Sequence, residues 1–229
     1  MGRGARLRLV GMTEARAIDL DKWPRREHFE HYLTRVECTY AITVELDVTE
    51  MVAALRVVPW KSYIAQIWAI ASVVNRHVEF RMTLTGEKVP ATWDVVHPAF
   101  TVFNPERETF ANVWSPFHAD FSTFHEHTAD VLERYRTATS LQPQPDMPAN
   151  MFDISSVPWA SFTGFSLQIR DGWKHLLPIF TLGRYRETGG RTVMPVAIQV
   201  HHAAADGFHT ARLVQELQVL FSDPSWLSK

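Results

Sequence analysis

The 229-residue chain has a single cysteine, Cys38, which excludes a disulfide framework within it. It also lacks an excess of either charge. Lys and Arg number 23 against 25 Asp and Glu, a net charge of −2, so the basic footprint that nucleic-acid binding demands is missing. No apolar run reaches the ~18 residues needed to span a bilayer, so no membrane partner is expected. Met1 to Val10 carries Arg3, Arg6 and Arg8 with no apolar stretch behind them, unlike a secretory signal. Internal repeats and low-complexity tracts are absent too. Core material is abundant: 46% of residues are hydrophobic and 12% aromatic, enough for a substantial interior and too much for disorder. The expectation is a cytoplasmic globular protein, with one domain over 20–229 and a flexible extension over 1–19.

Periodicity assigns the elements. Residues 1–20 offer at most a short strand near their end. Trp23 to Phe29 opens a helix with Pro24 in its first turn, where a missing N–H is harmless. Glu37 to Val48 is β-branched and alternating, hence a strand, and Thr49-Glu50 caps a helix reaching about Val57. Ser62 to His77 places Ile64, Ile67, Trp68, Ile70, Ala71 and Val74 at helical spacing, which predicts a buried helix. Short strands follow around Phe80–Leu84, Ala91–Trp93 and Ala99–Phe103. Ser115-Pro116 is read as the cap of a long helix to about Thr139, with His118, His125 and His127 on its surface or flank. Leu141 to Asn150 is a proline-rich loop, and Phe152 to Ile169 is strand-like with a break at Pro158. Phe180–Tyr185 and Arg191–His202 are strands joined through Glu187-Thr-Gly-Gly190, a hairpin signal. Strand and helix alternate without strict βαβ order, so the fold class is α+β: a mixed sheet flanked by helices in layers.

The stretch from Met194 to Phe221 is the most informative. Val196, Ile198 and Val200 alternate with Ala197 and Gln199, so His202 falls on their face and His201 on the other. Small residues, Ala203 to Ala205, let other groups approach the imidazole. Asp206 is four residues beyond His202, and Gly207 permits a tight turn before an amphipathic run. An imidazole has an unperturbed pKa near ~6.5, so a free nitrogen can take a proton at neutral pH. On alternation alone a core or turn histidine is the favoured reading, and Asp206 reads also as a helix N-cap.

His201-His202-x-x-x-Asp206-Gly207 resembles the signature of CoA-dependent acyltransferases. The longer string from Gln199 to His209 resembles the chloramphenicol acetyltransferase family in particular. Further segments are similar in the same order: Trp23 with Arg25 to Phe29; Cys38-Thr-Tyr and Leu46 to Thr49; Glu79 to Met82; Trp93 to Pro98; Phe100 to Phe103 followed by Glu108 to Phe110. Asn150 to Thr163 and Phe180 to Tyr185 complete the set, which covers roughly residues 20 to 222. Two departures stand out. The family often has Val-Cys where this chain has Ala204-Ala205, and Phe where it has Gln142, a position at the acceptor pocket.

The resemblance implies a two-layer fold whose sheet extends across subunits of a homotrimer, with active sites at subunit interfaces. It implies transfer of acetyl from acetyl-CoA, as co-substrate, to the primary hydroxyl of chloramphenicol, giving resistance, with no acyl-enzyme. His202 would be the general base and Ser155 the donor to the tetrahedral oxyanion. Asp206 and Arg25 would form a structural salt bridge, and Thr181 would help through a water. Trp159 and Tyr185 would line the CoA side. Tyr32, Cys38, Thr101, Phe110, Gln142, Phe165, Leu167 and Ile169 would line the acceptor pocket, with the base of one subunit facing the Tyr32 and Cys38 region of the next.

Three other readings compete. One is a related CoA-dependent O-acyltransferase with a different hydroxylated acceptor, such as a lipoyl-domain transacylase. Another is a metal module using His201, His202, Asp206 and His209, disfavoured because adjacent strand histidines point to opposite faces; no metal is expected. The third is an inactive, ligand-sequestering relative, disfavoured by the intact His202, Asp206, Arg25 and Ser155.

Overall fold

The computed structural model describes residues 15–86, 88–168 and 175–228. A mixed seven-stranded sheet carries the fold. Its path runs β2 (Thr39–Asp47), β10 (Arg191–His201), β8 (Ile179–Gly183), β7 (Met151–Val157), β5 (His97–Asn104) and β6 (Thr109–Trp114). Strand β9 (Arg186–Thr188) pairs with β10 off that path. The β5–β7 and β7–β8 pairs are parallel and the others antiparallel. A second sheet joins β1 (Arg16–Ala17), β4 (Pro90–Thr92) and β3 (Met82–Leu84). Arg16 and Ala17 thus pair with Thr92 and Ala91 although the sequence places them in the extension; residues 1–14 of that extension lie outside the described residues.

Register sorts the side chains of the large sheet. Val196, Ile198 and Val200 sit opposite Val44, Ile42 and Tyr40; on this face the three β10 residues are buried and the three β2 residues partly so. Against them pack α3 (Ser62–Arg76), α4 (Phe121–Arg134) and α5 (Gly207–Ser222). Helix α3 is apolar nearly all round, and eleven of its fifteen residues are buried. The other face is of different chemistry. Thr43, Ala197, Thr181 and Ser155 lie in one row across β2, β10, β8 and β7. A strap after β7 crosses that row, Phe165 N–H donating to Thr43 Oγ1 (3.2 Å) and Leu167 N–H to Gln199 Oε1 (2.9 Å).

Several elements differ from expectation, each for a local reason. Helix α1 (Arg26–Glu30) begins two residues after Pro24, because Arg26 N–H closes a turn onto the Trp23 carbonyl (3.1 Å). It runs on as one π-helical turn, His31–Arg35. Thr49 is the first residue of α2 (Thr49–Leu55) rather than its cap, and Asp47 accepts from both its N–H and its hydroxyl. Helix α4 starts at Phe121, not near Ser115, since Asp120 caps it by accepting from Thr123 N–H (2.8 Å). Ser115 instead stays with the sheet edge, its N–H on the Pro98 carbonyl. His125, expected at the surface or flank of the helix, is buried with Nε2 accepting from Lys61 N–H (3.0 Å). Strand β7 stops at Val157, as Pro158 has no N–H to continue the ladder. Strand β6 falls in a stretch where no strand was expected. The Gly189-Gly190 turn is as read: both residues have positive φ, which a two-residue hairpin loop of the mirror-image type requires.

Gly183, at the end of β8, has no room for a side chain. A Cβ there would lie 2.6 Å from Pro195 Cγ and 2.8 Å from Phe162 Cε1. Gly183→Ala is expected to cost about 1–3 kcal/mol through overpacking. The urea midpoint should fall with the slope unchanged; an unshifted midpoint would show that Phe162 moves aside freely.

Candidate active site

His202 follows directly on β10 and remains tied to it. Its N–H donates to the Cys38 carbonyl (2.9 Å), extending the β2–β10 ladder by one residue. The ring stacks on Tyr32, with centroids 3.8 Å apart and planes 5° from parallel. Tyr40, the register partner of Val200, meets it at 5.2 Å and 65°. The imidazole is therefore on the face that alternation assigns to it. His201 points the other way and is buried, with Nδ1 accepting from Ala203 N–H.

Arg25 holds the turn. Its Nη1 pairs with Asp206 Oδ2, and its Nη2 reaches the carbonyls of His202 (3.5 Å) and Ala203 (3.4 Å). Asp206 is also the N-cap of α5. Its Oδ1 accepts from Phe208 N–H and lies 2.8 Å from His209 Nδ1, which is also 3.2 Å from the Asp206 backbone nitrogen. Both readings of Asp206, salt bridge and cap, thus hold in the same geometry. Partial burial opposes ionisation of this carboxyl, but Arg25 and His209 outweigh it and hold the group below its ordinary value. A carboxyl lowered on folding stabilises the fold above its unfolded pKa of about 3.9, and that stability is lost as pH falls through the folded value. Asp206→Asn keeps the cap and loses the charge, so it should cost about 1–2 kcal/mol at neutral pH. Urea midpoints of mutant and wild type should begin to converge below about pH 4 and meet once the pH has fallen through the folded value; a difference that persists at still lower pH would mean that charge is not the source.

The remaining expected residues fall into other regions. Ser155 is on β7, directly beside Thr181 on β8, and Thr181 is beside Ala197 on β10. Thr181 lines a small recess with Phe165, Leu167, Ile179 and Gln199. Trp159 and Tyr185 line one cavity of about 530 Å³ between α3 and the ends of β5, β7 and β8. The Tyr185 hydroxyl bonds Ser62 Oγ (2.8 Å) and Gln66 Nε2; burial raises its pKa against those bonds, so it stays a neutral phenol. Thr101, on β5, lines this cavity. Phe110 and Trp159 are more than half exposed, and Gln142 is exposed in the loop that Leu141 ties to β6. Ile169 lies outside the described residues.

One expectation is overturned. Tyr32 and Cys38 meet His202 within a single chain, because the antiparallel register that sets His201 opposite Thr39 brings Cys38 to His202. His202 does not reach Ser155, however. Two strand spacings separate their rows and five residues separate Ala197 from His202, so they are about 20 Å apart along the sheet. Tyr40, Ser62, Gln66 and Glu79 were not read from sequence. Glu79 bridges His209 (3.3 Å) and Arg212 (3.2 Å), 130 and more residues away, and no local pattern signals it. Among the described residues no group of three or more His, Cys, Asp or Glu side chains is placed to hold a metal ion.

Comparison with known proteins decides the family. The profile of the chloramphenicol acetyltransferase family matches residues 13–218. A chloramphenicol acetyltransferase of Streptomyces acrimycini is 64% identical over 210 residues, 92% of this chain and 96% of that protein. The chain belongs to the chloramphenicol acetyltransferase family. Among solved structures, a chloramphenicol acetyltransferase superposes with a TM-score of 0.81 at 19% identity, over 91% of this chain and all of that one. The dihydrolipoamide acetyltransferase of Azotobacter vinelandii gives 0.64 at 16%, covering 84% of each, and shares the fold. As a member, this acyltransferase has the mixed sheet and one-sided helical layer that the resemblance implied. None of its described helices is long and apolar enough to cross a membrane.

Proposed function

We propose that the chain transfers acetyl from acetyl-CoA to the primary hydroxyl of chloramphenicol, in the cytoplasm, and so confers resistance to it. The observation that carries this reading is the clamped imidazole of His202 in a chain 64% identical to a named chloramphenicol acetyltransferase. The free ring nitrogen takes the proton of the acceptor hydroxyl as its oxygen attacks the thioester carbon. The carbonyl π electrons move onto oxygen, where Ser155 donates a hydrogen bond; one such donor is worth roughly 3 kcal/mol. Collapse restores the carbonyl, breaks the C–S bond and expels CoA thiolate, which takes the proton from the imidazolium. Arg25 and Asp206 hold the turn throughout, and Thr181 supports the oxyanion side through a water.

Acetyl-CoA suits the 530 Å³ cavity. Tyr63, Val102 and Phe103 make its walls apolar, Ser62 and Ser156 supply polar points for an amide-bearing arm, and exposed Arg184 offers a cation for phosphate. Trp159 stands over the mouth against Phe103 (4.6 Å). Phe110, Phe165, Leu167, Ile169 and Gln142, with Tyr32 and Cys38 beside the base, would receive the acceptor.

A base and an oxyanion donor act on one carbonyl, so about 20 Å between them calls for a second copy. We read the assembly as a cyclic homotrimer in which His202 of one subunit faces Ser155 of its neighbour. The exposed Phe110, Trp159 and Leu167 support this, since a neighbour would cover them. The test of the function is chloramphenicol-dependent release of CoA thiol. Robust release supports it; no release from protein that binds CoA would refute the acceptor and direct attention to Gln142.

A further inference from the structure

The reaction makes no use of His125, a buried imidazole on α4. The rings of Trp60 (4.7 Å) and Phe121 (5.8 Å) pack against it, and its Nε2 accepts from Lys61 N–H (3.0 Å). Lys61 is the residue from which α3 starts, and α3 has no side-chain cap of its own at that end. The N–H groups of a helix start find no partner within the helix. Here one of them finds its partner on another helix, so His125 fixes where α3 begins.

The next residue carries this to the cavity. Ser62 Oγ lies 2.8 Å from the Tyr185 hydroxyl, and Gln66, one turn on, donates through Nε2 to Ser62 Oγ (3.3 Å) and to the same hydroxyl. All three line the 530 Å³ cavity. The first turn of α3 thus sets the Tyr185 wall, and its tether is a nitrogen that accepts only while the imidazole is neutral. Protonation would place a hydrogen on Nε2 and turn it, donor against donor, toward Lys61 N–H. The charged groups facing the ring are Lys61 and, on its own helix, Glu126. Burial foremost, and then Lys61, hold His125 below its ordinary value against the pull of Glu126, so the accepting form prevails at neutral pH.

We propose that His125 is a positioning residue for the acetyl-CoA cavity: neutral, it tethers the start of α3, and protonated, it releases Ser62 and Gln66 from Tyr185 and weakens CoA binding. This rests on the cavity being the acetyl-CoA site.

The test is calorimetric titration with CoA at about pH 7.5 and about pH 5, for wild type, His125→Phe and His125→Gln, with folds compared by circular dichroism. Phenylalanine fills the site without an acceptor; glutamine keeps an acceptor that does not titrate. At the higher pH, Kd should rise about three- to tenfold in His125→Phe, the range of one neutral hydrogen bond, and stay within about twofold in His125→Gln. At saturating acetyl-CoA, kcat should match wild type in both. At the lower pH the gap between wild type and His125→Phe should close, and His125→Gln should bind about threefold or more tighter than wild type. Each comparison is made at one pH, so titration of the CoA phosphate cancels. Should His125→Phe fail to fold, the comparison of His125→Gln with wild type at the two pH values decides alone. Wild-type Kd in His125→Phe, an equal rise in His125→Gln, or a His125→Gln Kd that tracks wild type into acid would each overturn the proposal. If Trp159→Ala at the cavity mouth weakens CoA binding while the His125 variants behave as wild type, the cavity reading stands and only this inference falls; an unchanged Kd in Trp159→Ala would sink both.

Discussion

Replacing His202 with alanine is expected to lower kcat for chloramphenicol-dependent release of CoA thiol by about 10²–10⁴-fold, the range that positioned general bases supply. KM for acetyl-CoA should stay close to wild type, since the cavity holding Trp159 and Tyr185 shares no lining residue with the His202 turn. The fold should survive. The side chain is only partly buried, its backbone N–H stays on Cys38, and Arg25 and Asp206 still fasten the turn. What is lost besides the base is the ring's contacts with Tyr32 and Tyr40, worth about 0.5–1.5 kcal/mol each. Comparing His202→Ala with His202→Gln separates the two effects, because glutamine fills most of the space and cannot take the proton. If either variant turns over at the wild-type rate, the deprotonation step has been assigned to the wrong residue.

Mixing two inactive proteins should restore activity. His202→Ala keeps Ser155, and Ser155→Ala keeps His202; the latter should lose about 10²-fold or more in kcat as a lost oxyanion donor. Each alone is nearly inert. Unfolded together in equal amounts and refolded, they should form mixed rings in which some interfaces join an intact His202 to an intact Ser155 of the neighbour. For random assortment that is one interface in four, so the mixture should recover about a quarter of wild-type kcat. The reasoning depends on the register of β10, β8 and β7, which keeps the two residues about 20 Å apart within one chain. A refolded mixture no more active than its components, while wild type treated in the same way recovers, would mean that one chain holds both groups of each site.

Much of this was legible in the residues. Alternation from Val196 to Val200 placed His202 on the helix-facing side of β10, and the structure agrees because a fully paired strand cannot rotate its side chains out of period. Helix α3 was legible for a similar reason: its apolar residues repeat at helical spacing, and burial leaves that pattern no alternative. The Gly-Gly hairpin was legible since two positive-φ positions in sequence suit few other residues. Boundaries set by one polar contact were not. Asp120 caps α4 because its carboxylate accepts from Thr123 N–H, whereas the Ser115 hydroxyl oxygen is committed to Thr128 in the interior.

The sequence by itself determined the α+β class, the identity of the strand that leads into His202, and the helix that follows it. It did so because these depend on periodicity and on residues near one another in the chain. Only the tertiary structure decided what surrounds His202. Tyr40 reaches His202 through the β2–β10 register and Thr210 through a contact across 170 residues, and Arg25 reaches Asp206 across 181. Likewise only the strand order could reveal that His202 and Ser155 stand far apart in one chain, because such distances follow from which strands pair and not from the order in which they are made.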